Sequence, residues 1–205
     1  MKALRVLALV LAGCVTFVLG VLWFAPWENG AMYVMETLRL QAANAKSAVY
    51  ITPRGLTTTG RLFPRFDIAA FDIEHPISKI TFSNLGVRVL PISSLLSGSV
   101  VCDVEWSGAE IRAIPNQTFS LGEGSVRLYG GRDEIRAART AVTGDIQLAG
   151  NLAYDRNRKA IRESTMTLKV PDNLNVVLRN PMLSRYLEST TPGEWRIKTN
   201  AAPTP

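Results

Sequence analysis

His75 is the chain's only histidine, and Cys14 and Cys102 are its only cysteines. Those residues bound the chemistry. One histidine cannot form a His-based metal cluster, and a Ser-His-Asp nucleophile would have to be built on His75 alone. Pro76 follows it directly, which reads as an exposed turn. Cys14 lies inside a long apolar run and Cys102 in a strand-like alternation, so they share no compartment. Neither an intrachain disulfide nor a cysteine metal site follows from them, and Cys102 reads as a small core residue. Gly122-Glu123-Gly124 lacks the lysine and the strand-loop-helix context of a phosphate loop, and reads as a turn. Carboxylates are scattered, with no pair spaced for shared acid-base work. Asn116-Gln117-Thr118 fits the glycosylation sequon, a triplet common by chance. The residues thus predict no catalytic site, no cofactor and no metal.

The N-terminal element says more. Val6 to Ala25 runs with a single polar side chain, Thr16, and no charge. At ~1.5 Å rise per residue such a helix is roughly 30 Å long, the thickness of a bilayer core. Val6, Leu9, Cys14, Phe17, Leu19, Leu22, Trp23 and Phe24 are its apolar anchor residues. A cleaved signal peptide would have a shorter apolar core and a small-x-small exit, whereas this one ends in Leu22-Trp23-Phe24-Ala25-Pro26. Leu11-Ala12-Gly13-Cys14 looks like a lipobox, but almost only apolar residues follow Cys14 where a polar tether is expected. A retained anchor fits best. Lys2 and Arg5 precede it, while Glu28, Glu36, Arg39 and Lys46 behind it balance to zero. The positive-inside rule therefore predicts a cytoplasmic N-terminus and a single-pass inner-membrane protein with its bulk in the periplasm. Trp23 and Trp27 stand where an interfacial aromatic belt would. Ala8, Ala12, Thr16 and Gly20 recur every four residues, a small-residue ridge that admits a second helix.

The 205 residues divide on this reading into a stub and anchor (1–26), a juxtamembrane helix (27–46), a periplasmic β domain (47–198) and a flexible tail (199–205). Ala31, Val34, Met35 and Leu38 carry the helix period. Hydrophobic residues make up 47% of the chain and charged ones 20%, enough to bury a core. The net charge of +6 is spread out. Even the densest basic stretch, Arg132 to Arg162, is interleaved with Asp133, Glu134, Asp145 and Asp155, so nucleic acid is not an expected partner.

From residue 47 the text reads as strands. Val100, Cys102, Val104 and Trp106 alternate with polar or outward positions, as do Ile146, Leu148, Leu152 and Tyr154, and Met166, Leu168 and Val170. Shorter runs occur at 48–51, 67–73, 80–82, 87–90, 109–114 and 125–129. Turn signals fall between them, among them Pro53 to Gly55, Pro64, Pro76, Gly108, Pro115, Gly122 to Gly124, Gly130-Gly131, Gly144 and Pro171-Asp172-Asn173. The spacing predicts a mainly β fold, an elongated antiparallel sheet that is either a curved sheet or an open sandwich. Short helices are expected near 91–98 and 180–187.

Three stretches carry a resemblance. Gly86-Val-Arg-Val-Leu-Pro-Ile-Ser-Ser-Leu-Leu-Ser-Gly98 leads into the strand Ser99 to Trp106; Thr143-Gly-Asp-Ile-Gln-Leu-Ala-Gly-Asn-Leu-Ala-Tyr154 is a glycine-flanked strand; Asn180-Pro-Met-Leu-Ser-Arg-Tyr-Leu-Glu188 precedes Gly193 and Trp195. In this order, behind a single anchor, they resemble the type II secretion system protein N (GspN) family, which looks related to AsmA-like envelope proteins. The resemblance implies a non-catalytic inner-membrane accessory of protein secretion whose partners are other envelope or secretion-system proteins. The alternative it implies is an AsmA-like or LptC-like protein that passes lipid along an apolar β groove.

Overall fold

The computed structural model describes residues 13, 15–17, 19–44, 49–76, 78–113, 117–179 and 186–199. Of the expected anchor, Val6, Leu9 and Cys14 lie outside them, as do Ala8 and Ala12 of the small-residue ridge. Thr16, Phe17, Leu19, Gly20, Leu22, Trp23 and Phe24 are helical. Among the described residues no helix is long and apolar enough to cross a membrane, so the spanning helix expected from the sequence is not supplied by the structure. After Ala25 and Pro26 a helix, α1, runs Trp27–Asn44.

The rest is one antiparallel sheet of thirteen strands. Its first half is a meander of β1 (Tyr50–Thr59), β2 (Arg65–His75) and β3 (Ser78–Val89). Two collinear strands, β4 (Val100–Trp106) and β5 (Gly108–Ala113), share the far edge of β3. They pair in turn with β7 (Glu123–Gly130) and β6 (Gln117–Ser120). The sheet continues through β8 (Glu134–Thr143) and β9 (Gln147–Asp155) to β10 (Ala160–Ser164) and β11 (Thr167–Lys169), which divide the edge of β9. The main path skips β5, β6 and β10, which pair beside it, and its last step reverses, because β13 (Glu194–Ile197) inserts between β11 and β12 (Leu187–Thr191). All named strand pairs are antiparallel; many follow a hairpin, whereas β4–β7 and β11–β13 pair across intervening elements.

Simple alternation breaks along one line. Ile51 and Pro53 are odd-numbered, Leu56 is even, yet all three line one space against α1. Between them Gly55 has φ +70°, and a Cβ there would stand 2.8 Å from that of Ala69. On β3 the apolar set changes from even (Ile80, Phe82) to odd (Leu85, Val87, Val89) across Asn84, at φ +50°. Gly55, Ala69, Asn84 and Ser107 fall opposite one another in the register. The Asn84 side-chain N–H donates to the Ser107 hydroxyl at 3.0 Å and closes the line. A residue in left-handed geometry reverses the pleat, so the apolar side chains stay on one face although their numbers change parity. A second crease crosses Arg139 (φ +53°) and Gly150 (φ +127°), where the β7–β8 and β8–β9 registers shift.

Several turn expectations are corrected. Pro53 to Gly55 lies inside β1; this edge strand tolerates a proline because its outer N–H groups need no partner. Glu123 and Gly124 begin β7. His75 ends β2, half-buried, and pairs with Ser78. Pro171-Asp172-Asn173 opens a helix, α3 (Asp172–Leu178), whose first turn is closed by the Leu174 and Asn175 N–H groups on the Pro171 carbonyl, both at 3.0 Å. The 180–187 helix expectation falls mostly outside the described residues.

Candidate functional site

The sheet is strongly two-faced in its first half. The face turned from α1 carries a ladder of charge across neighbouring strands: Arg88 opposite Asp103, and Asp103 opposite Arg127. Arg127 grips Asp103 with two donors, Nε at 2.6 Å and Nη2 at 2.8 Å. This fork holds the Asp103 carboxyl below its usual range against the opposing effect of burial. Further along, burial opposes ionisation of Asp72, but the Thr81 hydroxyl, Lys79 and Arg54 outweigh it and hold that carboxyl low as well. The Arg54 guanidinium donates to Asp72 Oδ2 at 2.6 Å. These carboxylates are tied to neighbouring cations across the strands, although Asp72 Oδ1 is buried without a hydrogen-bond partner. The basic stretch near β8 and β10 is likewise paired, with Arg136 and Arg162 both on Glu134. Among the described residues no group of three His, Cys, Asp or Glu is placed to hold a metal ion.

The other face is apolar and incompletely covered. α1 lies against β1, and between it, the sheet and α2 (Pro91–Ser97) is an open groove of about 830 Å³. Val34, Met35, Leu56, Phe66, Val87 and Cys102 form its walls, and its far end reaches Gly130. Gly30 and Ala31 on α1 line it too and, being small, leave the space unfilled. Phe66, Val87 and Val104 make one cross-strand row and Val89 and Cys102 the next. The Cys102 thiol is pushed up by burial and by Asp103 beside it, which favours its neutral form in the wall. Mostly apolar walls with few polar groups suit a hydrocarbon chain or an apolar side-chain array.

The groove is pinned to the N-terminal segment. The Trp27 indole N–H donates to the Leu22 carbonyl at 3.0 Å and the Arg61 carbonyl at 2.8 Å. Arg61, in the β1–β2 connection, sets its guanidinium 5.3 Å from the centre of the Trp23 ring. The sequence places Trp23 in an aromatic belt and allows an apolar groove as an alternative, without naming the residues that line it. Its lining residues are ordinary strand and helix positions, and alternation does not say whether the buried face is closed. The small pair Gly30-Ala31 inside an otherwise bulky helix face was the available signal.

A family model described as "Type II secretion system protein GspN-like, Synergistales" matches residues 2–199. No curated protein and no solved structure matches the chain.

Proposed function

We propose, since this chain belongs to the GspN-like type II secretion family, that it is a non-catalytic accessory of type II protein secretion, anchored in the inner membrane through its N-terminal apolar run. Its β domain presents a surface on the periplasmic side to other secretion or envelope proteins. Residues 6–25, uncharged and preceded by Lys2 and Arg5, support the anchor and its orientation. The observation that carries the binding role is the two-faced sheet: a charged face cross-linked by ion pairs, and an apolar face left open beside α1. The open edge of β1 adds a row of backbone groups that a partner strand can complete. The test is mild crosslinking at native expression followed by affinity purification of the full chain. Inner-membrane secretion components should co-purify; recovery of none of them refutes the role.

The groove favours a second reading, in which the apolar face holds lipid in the manner implied by the AsmA-like and LptC-like resemblance. Native mass spectrometry of the detergent-purified full chain should then show bound lipid, and a lipid-free spectrum counts against it.

A further inference from the structure

α2 is built inside out for a helix that caps a sheet. Ser94 faces inward: its hydroxyl donates to the Leu90 carbonyl at 2.8 Å and accepts the Val101 N–H at 2.8 Å. The large residues face outward, with Ile92 56% exposed, Leu95 75% and Leu96 83%. No residue of this helix is buried. Gly98, in left-handed geometry at φ +63°, ends it and returns the chain to β4.

This apolar knob does not stand alone. The Val89 N–H donates to the Pro64 carbonyl at 2.9 Å, which ties the start of α2 to the β1–β2 connection. That connection exposes Phe63 and carries Arg61, and through Arg61 it touches Trp23 and Trp27. Phe24, 82% exposed, is next to them in the chain. Ile92, Leu95, Leu96, Phe63 and Phe24 thus belong to elements tied together at the point where the N-terminal run meets the domain. The segments between them, 60–64 and 91–97, contain one cation and no acid.

We propose that α2 and the β1–β2 connection form a second, peripheral membrane contact that seats in an anionic bilayer surface. This rests on the reading that the residues ahead of Pro26 are in that bilayer. The occupant is a lipid surface because the patch continues the aromatic collar of the N-terminal run. It also pairs exposed leucines with a cation and excludes acids, the composition of an interfacial anchor. The contact has a further effect. Leu95, Gly98, Ser99 and Val100 line the groove, so a seated α2 opens the groove at the headgroup level and not into bulk water.

The test uses the full chain with Cys14 and Cys102 replaced by alanine, and single cysteines at Phe24→Cys, Leu96→Cys or Val176→Cys. Val176, on α3, is 73% exposed and serves as the control away from the patch. Each is labelled with an environment-sensitive fluorophore and reconstituted into phosphatidylethanolamine–phosphatidylglycerol vesicles containing doxyl-labelled lipid. The expected result is a blue shift and quenching at positions 24 and 96, with neither at 176. Quenching at 24 without quenching at 96 overturns the second contact and leaves the anchor standing. No quenching at 24 or 96 overturns both. Equal quenching at all three positions also overturns it, because the domain then adsorbs without a preferred face.

Discussion

Replacing Gly124 by alanine puts a methyl group into the Trp106 indole. The two residues face each other across the β4–β7 pair. A Cβ on Gly124 would meet Cζ2 and Cε2 of that ring and stand 2.8 Å from Cη2. Retreat of Trp106 would disturb its edge-on packing against Phe82 at 5.5 Å between centroids, and Phe82 in turn packs against Phe71 at 6.4 Å. Overpacking of this kind costs about 1–3 kcal/mol, and displacing the indole from Phe82 forfeits about 0.5–1.5 kcal/mol of ring-pair energy. Against this, alanine recovers about 0.5–1 kcal/mol of unfolded-chain entropy. The net loss is about 2 kcal/mol, or a Tm lower by about 4–8 °C for a domain of this size. Urea unfolding of the detergent-solubilised chain, followed by far-ultraviolet circular dichroism, measures it. The double-mutant cycle is decisive. In a Trp106→Ala background the methyl group has room, and Gly124→Ala should cost almost nothing. If the two substitutions are additive, or Gly124→Ala alone costs less than about 0.5 kcal/mol, the steric account fails.

Asp103→Asn breaks the Arg127 fork and should cost about 1–3 kcal/mol at neutral pH. Because the folded-state carboxyl titrates below its unfolded value, its contribution is present above the ordinary carboxylate range and is lost as pH falls through the folded pKa. Denaturation midpoints measured from pH 7 down through about 4 and below should fall for the parent chain and fall less steeply for Asp103→Asn. Ala31→Trp fills the groove from α1; any lipid detected by native mass spectrometry should be lost while the circular dichroism spectrum is unchanged. Trp27→Phe removes the indole donor shared by Leu22 and Arg61, and hydrogen exchange in the 60–64 connection should speed up by a factor corresponding to about 0.5–1.5 kcal/mol. Unaltered exchange there would show that Trp27 does not hold that connection.

The strands were legible wherever alternation ran unbroken, as from Val100 to Trp106, whose pairing with β3 and β7 keeps one apolar face. They were cut short wherever a crease intervened: runs read separately at 80–82 and 87–90 are a single strand with Asn84 at its bend. A proline and a glycine two positions apart carry a turn signal on any sequence scale, and only the edge position of β1 makes Pro53 and Gly55 strand residues. An apolar face on the sheet was legible from alternation, whereas the place of the groove on it was not. Its openness depends on how far α1 stands from the sheet, a tertiary distance that alternation does not carry. The outward leucines of α2 were visible as a leucine pair before a glycine, but which way they point is decided by the hydroxyl of Ser94.

The crease through Gly55, Ala69, Asn84 and Ser107 acts as a phase marker. Strands built on plain alternation tolerate insertions of two residues anywhere along their length. Here the count runs separately on each side of the marker: deleting Asn84 would restore one plain alternation that keeps Ile80, Phe82, Leu85, Val87 and Val89 on a single face, but it would take the bend out of β3 alone and set its two halves out of register with β2. Viable length variants of this sheet are therefore confined to its hairpin ends, and the distance from crease to hairpin is fixed in every strand that walls the groove.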